Sequence, residues 1–171
     1  MRRAFTHLLV WSLSPVGTLL NAALLFVVID PRARTLRVAN AGMISPVLVT
    51  AHGSRFIEVG GLPLGSFVGA LYREEVVTYE PGDSLLLISD GVVEAHDADS
   101  ELFGFERLEA TIAQARPGDV RELVELVLER VQEHMGDAEQ HDDITIVAVR
   151  PAITSEIALL DEEQAITYAT L

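Results

Sequence analysis

The stretch Asp83–Glu94, DSLLLISDGVVE, constrains this chain more than any other. Its apolar run Leu85–Ile88 has no alternation that would leave one face wet, so it reads as a β-strand buried on both faces. That strand delivers Ser89, Asp90 and Gly91 at its end. Near the other terminus, His141–Val149, HDDITIVAV, sets Asp142 and Asp143 before an alternating strand that begins at Ile144. If the two strands pair antiparallel, the end of one lies beside the start of the other, and Asp90 and Asp142 converge. Converging carboxylates with little cationic company suit a hard divalent cation held by oxygen ligands and water. Taken singly, an Asp-Gly after a strand is ordinary turn chemistry, and Asp142 with Asp143 equally fits a solvated strand start. The buried strand, the flanking Gly91 and the second acidic pair together weigh towards a site, with Glu94 as a supporting group or a rim charge.

Composition narrows the chemistry further. A chain of 171 residues has room for one domain with a sizeable core. A formal net charge of -14 argues against a nucleic-acid binder, which must neutralise phosphates. All 12 basic residues are Arg, so a catalytic lysine or a Lys-bearing phosphate loop is excluded. With no Cys there is no thiolate chemistry, disulfide or Cys-ligated zinc, which fits a cytoplasmic protein. His7, His52, His96, His134 and His141 show no metal-ligand spacing; only His141, beside Asp142, draws attention. No Ser sits in a nucleophile elbow. Residues 8–29 contain no Asp, Glu, Lys or Arg, but Ser12, Ser14, Pro15, Gly17, Thr18 and Asn21 interrupt them. A helix followed by a strand is the better reading than a membrane span, which needs roughly 20 apolar residues.

The rest of the chain reads as a succession of hairpins and then helices. Residues 4–13 are expected to be helical, and Ser14-Pro15 opens a second short helix to about Asn21. Leu24–Ile29 and Thr35–Ala41 make a hairpin around Asp30-Pro31; Val47–Thr50 and Phe56–Val59 make another around His52-Gly53-Ser54. Gly60–Gly65 is a loop, Val76–Tyr79 a strand, and Glu80-Pro81-Gly82-Asp83 a turn. A helix begins near Phe105. In the next, capped by Asp119 and stopped by Gly136, Val120, Leu123, Val124, Val127, Leu128, Val131 and Met135 trace a core stripe. Residues 1–150 are expected to form the domain, and 151–171 an acidic extension.

Six ordered motifs carry a resemblance: Asn40-Ala41-Gly42, Gly61-Leu62-Pro63-Leu64-Gly65, Pro81-Gly82-Asp83, Leu86–Ala95, Leu102-Phe103-Gly104 and Asp142-Asp143-Ile144-Thr145. Together they resemble the SpoIIE-type branch of the PPM metal-dependent protein phosphatases, which includes the RsbU-like regulators of sigma factors. The resemblance implies an α+β fold, an αββα four-layer sandwich of two antiparallel sheets flanked by helices. It implies that Asp90 and Asp142 bind metal, two Mg²⁺ or Mn²⁺ ions in the family, with Gly91, Asp143 and Glu94 in support. It also implies hydrolysis of phosphoserine or phosphothreonine in a regulatory protein, by an activated water that attacks phosphorus in line. An anti-sigma-factor antagonist is the type of partner expected.

Two departures bear on activity. Nothing before Ala4 resembles the family's opening G-D-x-x-G-x-G strand, whose aspartate bridges both ions, so the domain is expected to be N-terminally truncated. The family's N-A-G-H reads Asn40-Ala41-Gly42-Met43 here, a thioether in place of an imidazole. Weak or lost turnover is therefore expected, with a catalytically inactive protein-binding module as the alternative.

Overall fold

The computed structural model describes residues 21–116, 118–151 and, as a backbone strand, 166–170. The helix expected at 4–13, and all but the last residue of the one expected to run to about Asn21, lie outside these residues. The described chain runs through β1 (Leu24–Asp30), β2 (Thr35–Ala41), β3 (Val47–Thr50), β4 (Gly53–Phe56), β5 (Glu74–Thr78), β6 (Ser84–Ile88), α1 (Asp90–Glu94), α2 (Gly104–Ile112), α3 (Val120–Met135), β7 (Thr145–Val149) and β8 (Ile166–Thr170). Two antiparallel sheets result, a three-stranded one ordered β1-β2-β5 and a five-stranded one ordered β4-β3-β6-β7-β8.

Strand periodicity builds the layers. Leu36 and Val38 of β2, Val77 of β5, and Leu48 and Leu85 of the larger sheet share one buried cluster with Ile57, Val59 and Tyr79, which fills the space between the sheets. Their alternates, Val47, Val49, Leu86, Ile88, Ile146 and Ala148, face a second cluster with Leu108, Ile112, Leu123, Val124, Val127 and Val131 of the helices. β6 lies between β3 and β7 with both faces covered, which is why its sequence shows no polar alternation. On α3 the expected stripe is the packed face, and the Asp119 carboxylate accepts the Glu122 N–H at 2.9 Å as its N-cap.

The β1–β2 hairpin forms as expected, in register from Leu24 opposite Ala41 to Asp30 opposite Thr35. Asp30 accepts the Arg32 and Ala33 N–H groups at 2.9 Å each, and these donors, Ala33 first, hold its carboxyl below the usual aspartate range. The second hairpin differs from expectation. Thr50 pairs directly with Gly53, so the turn is Ala51-His52 and the returning strand is Gly53–Phe56 rather than Phe56–Val59. A φ of +132° at Gly53 permits the tight turn, and Ile57 and Val59 leave the ladder to fill the inter-sheet core. β5 starts two residues before the expected Val76, because Glu74 is drawn into register by Arg37, whose Nη2 donates to both of its carboxylate oxygens at 2.8 and 2.9 Å. Ile166–Thr170, inside the segment expected as an acidic extension, pairs with β7 as β8. Among the described residues no helix is long and apolar enough to cross a membrane, and Leu24–Ile29, the end of the stretch weighed as a span, is strand.

Ser84 is the buried polar exception. The residue is 1% exposed, and its hydroxyl has no hydrogen-bond partner among the described residues. An orphaned buried hydroxyl carries its desolvation cost without return, so Ser84→Ala is expected to raise stability by about 1 kcal/mol in urea denaturation. A lower midpoint would show that the hydroxyl is bonded in solution.

Candidate metal centre

The antiparallel pairing of β6 with β7 sets Ile88 opposite Ile146, so the exit of one strand and the approach to the other share one end of the sheet. Ser89 locks them together. Its N–H donates to the Thr145 carbonyl at 3.0 Å, its hydroxyl donates to the Asp143 carbonyl at 2.8 Å, and that hydroxyl accepts the Thr145 N–H at 2.9 Å. Asp90 is then the first residue of α1 rather than part of an open turn. Gly91 packs so closely on the 142–143 backbone that a Cβ there would stand 2.5 Å from the Asp143 carbonyl oxygen and 3.5 Å from the Asp142 carbonyl carbon. The two acidic tips expected to meet are thus carried on backbones in direct contact.

Asp90, Glu94, Asp142 and Asp143 are all exposed, and among the described residues no arginine pairs with them. Asp142 accepts the Asp143 N–H on one carboxylate oxygen at 2.7 Å, while the Gln140 amide donates to the Asp142 carbonyl at 2.9 Å. Beside them opens a cleft of about 300 Å³, with Glu94, His96, Glu139, His141 and Asp142 on its walls and Leu102, Met135 and Ile144 as apolar lining. Asp90 is not among the residues lining it. The rings of His96 and His141 lie 4.4 Å apart, centroid to centroid. Sequence reasoning gave His96 and Glu139 no role; the approach of His96 to Asp142 depends on the fold of the 95–103 loop, which no local pattern announces, whereas Glu139 is only three residues from Asp142 in the chain. That loop is closed by the Phe103 N–H on the Ala95 carbonyl at 2.7 Å and by a bridge between His96 and Leu102. Within it the Asp97 carboxylate accepts the Glu101 and Asp99 N–H groups, Glu101 foremost, and these hold its carboxyl below the ordinary range.

Other motifs turn out to be structural. The Asn40 side chain, 3% exposed, accepts the Met43 N–H at 2.9 Å and donates to the Met43 carbonyl at 2.8 Å, which closes the turn after β2. Gly42, at φ +87°, leaves the Pro63 ring where a side chain would stand, with Pro63 Cγ 2.6 Å from an ideal Cβ. The 40–42 and 61–65 motifs are therefore one packed unit. At Pro81-Gly82-Asp83, Asp83 accepts the Glu80 N–H at 2.8 Å and returns its own N–H to the Glu80 carbonyl at 3.0 Å.

Ser89→Ala is expected to destabilise the domain by about 2 kcal/mol, since it removes the Asp143 contact and leaves the Thr145 N–H without its acceptor. Hydrogen exchange at Thr145 reads the loss locally. Unchanged protection there would mean that water replaces the hydroxyl.

A sandwich of two antiparallel sheets with acidic tips at adjoining strand ends is the fold of PP2C-type serine/threonine phosphatases. The SiaA-PP2C domain of Pseudomonas aeruginosa superposes with a TM-score of 0.62 at 26% identity, covering 72% of this chain and 49% of that one. The RsbU and RsbW domains of a Mycobacterium tuberculosis protein superpose with a TM-score of 0.56 at 27% identity, covering 74% of this chain and 36% of that one. In sequence, Protein IcfG of Synechocystis sp. is 28% identical over 129 residues, which is 75% of this chain and 20% of that protein. The chain thus spans half or less of these relatives. The family described as Stage II sporulation protein E (SpoIIE) matches residues 6–152, and the chain belongs to it.

Proposed function

We propose that this chain acts in metal-dependent dephosphorylation of phosphoserine or phosphothreonine in a regulatory protein, in the cytoplasm, with weak turnover by itself. The observation that carries the reading is the Ser89 and Gly91 contact with residues 142–143, which brings Asp90 and Asp142 to one end of one sheet. The SiaA and RsbU likenesses support a partner-switching setting, with a phosphorylated anti-sigma-factor antagonist as the type of substrate.

Mg²⁺ or Mn²⁺ fits the donor set in kind, because carboxylates, carbonyls and water suit hard cations. In number the set falls short, since among the described residues no group of three His, Asp or Glu side chains comes together to hold an ion. Asp90 and Asp142 would hold the metal, and water would have to fill most of the remaining positions. When bound, such ions supply positive charge at the phosphoryl group and lower the pKa of water. The chain's own residues do the positioning: Ser89 fixes the register of the two acidic tips, Gly91 sets their spacing, and Asp143 contributes the carbonyl on which both rest.

The short donor set and Met43 in the place of an imidazole also support a second reading, a protein-binding module without turnover. Calorimetric titration with Mn²⁺, together with phosphate release from a serine-phosphorylated protein, separates the two. Weak Mn²⁺ binding with slow, Mn²⁺-dependent release supports the phosphatase; neither at millimolar Mn²⁺ supports the module. Turnover matching a complete phosphatase domain would refute the proposed weakness.

A further inference from the structure

Two imidazoles from separate parts of the chain meet in the cleft beside α1. The rings of His96 and His141 stand 4.4 Å apart, centroid to centroid, with their planes tilted by 45°. Both backbones are anchored. His96 is fixed by its bridge to Leu102 and by the Phe103 N–H on the Ala95 carbonyl at 2.7 Å, while His141 leads directly into the 142–145 segment that Ser89 holds. His96 is half-buried and His141 exposed, so core packing does not demand that the rings touch. Among the described residues neither ring makes a hydrogen bond or ion pair, whereas His134 sets its Nε2 2.8 Å from the Glu101 carbonyl.

The surroundings attract a cation. Glu94, Glu139 and Asp142 stand on the walls of the same cleft of about 300 Å³, and among the described residues no arginine pairs with any of them. A cleft walled by one sign of charge concentrates ions of the other. Carboxylates alone would favour no particular metal, but the imidazoles do. Imidazole nitrogen suits Zn²⁺, whereas Mg²⁺ and Mn²⁺ prefer oxygen. Two nitrogens held by one tetrahedral Zn²⁺ stand about 3.3 Å apart. Rings centred 4.4 Å apart reach that spacing by side-chain rotation.

We propose that His96 and His141 together form a Zn²⁺ site distinct from the candidate centre at Asp90, which does not line this cleft. The pair supplies two ligands and water the others, since among the described residues no three His, Asp or Glu side chains converge on one point. The wall carboxylates then accept hydrogen bonds from the bound waters and offset the charge of the ion. Bound there, Zn²⁺ ties the 95–103 loop to the approach to β7. The site stands or falls independently of phosphatase activity. Calorimetric titration of the full chain, free of any histidine tag, with Zn²⁺ is the test. One ion per chain is expected, with affinity at least about 10-fold weaker in His96→Asn and in His141→Asn. Asp90→Asn and His52→Asn should stay within about twofold of wild type, and millimolar Mg²⁺ should leave the Zn²⁺ affinity unchanged. In nitrogen–proton correlation spectra of the wild type, the ring nitrogens of His96 and His141 should shift on Zn²⁺ addition and those of His52 should not. That measurement needs no substitution, so it decides the matter even where a variant fails to fold. No wild-type binding at millimolar Zn²⁺, unmoved His96 and His141 rings, or wild-type affinity in both histidine variants would overturn the proposal. An equal loss in Asp90→Asn, or displacement of Zn²⁺ by Mg²⁺, would overturn it too, by returning the ion to the carboxylate centre.

Discussion

Replacing Gly91 by Ala is expected to cost about 3 kcal/mol of stability and to separate α1 from the approach to β7. The added methyl would stand 2.5 Å from the Asp143 carbonyl oxygen and 3.0 Å from its carbon, and both belong to backbone that cannot swing aside as a side chain would. Either α1 or the 142–143 segment must move, and the Ser89 hydroxyl bond to Asp143 moves with it. The sign makes the experiment decisive. Gly91 lies within α1, where Ala is intrinsically favoured over Gly by about 1 kcal/mol, so a chain lacking this close approach would gain stability from the change. Urea denaturation of the variant distinguishes the outcomes, and increased stability would remove the contact on which the candidate centre is built.

The second large effect is on metal. Asp90→Asn and Asp142→Asn should each weaken Mn²⁺ binding by about 100-fold or more, since loss even of an outer partner of a metal ligand typically costs about 10–100-fold. Both side chains are exposed, and neither makes an ion pair among the described residues, so the fold should not suffer. Removing one of several neighbouring like charges should leave the melting temperature unchanged or slightly higher. If the two carboxylates serve one ion, the double variant will cost far less than the sum of the single changes. Additive losses would place them on separate ions, and Mn²⁺ affinity that ignores both changes would dismiss the assignment.

Much of the fold could be read from local chemistry. The α3 stripe and its Asp119 cap, the β1–β2 hairpin and the doubly buried β6 are each specified by residues close in the chain. The misplaced β4 shows where this stops. Phe56, Ile57 and Val59 are all plausible strand residues, and only the second sheet decides which of them stay in the ladder and which turn into the core. Of the candidate site, the strand-end placement of Asp90 and Asp142 was legible because each lies next to a recognisable strand. Ser89 was visible only as part of a motif, and its two-way bond to residues 143 and 145 has no local signature.

From its sequence alone this chain declares family, the two strands that carry the acids and the chemical kind of its candidate ligands, because motif spacing and side-chain type survive without coordinates. Three things came only from the tertiary structure: that Gly91 lets the backbones carrying Asp90 and Asp142 pack in direct contact; that His96 joins Asp142 at a cleft; and that the 61–65 loop packs on Gly42. These depend on contacts between residues roughly 20 to 50 positions apart in the chain, and such contacts are set by how the layers pack, which no short stretch of sequence encodes.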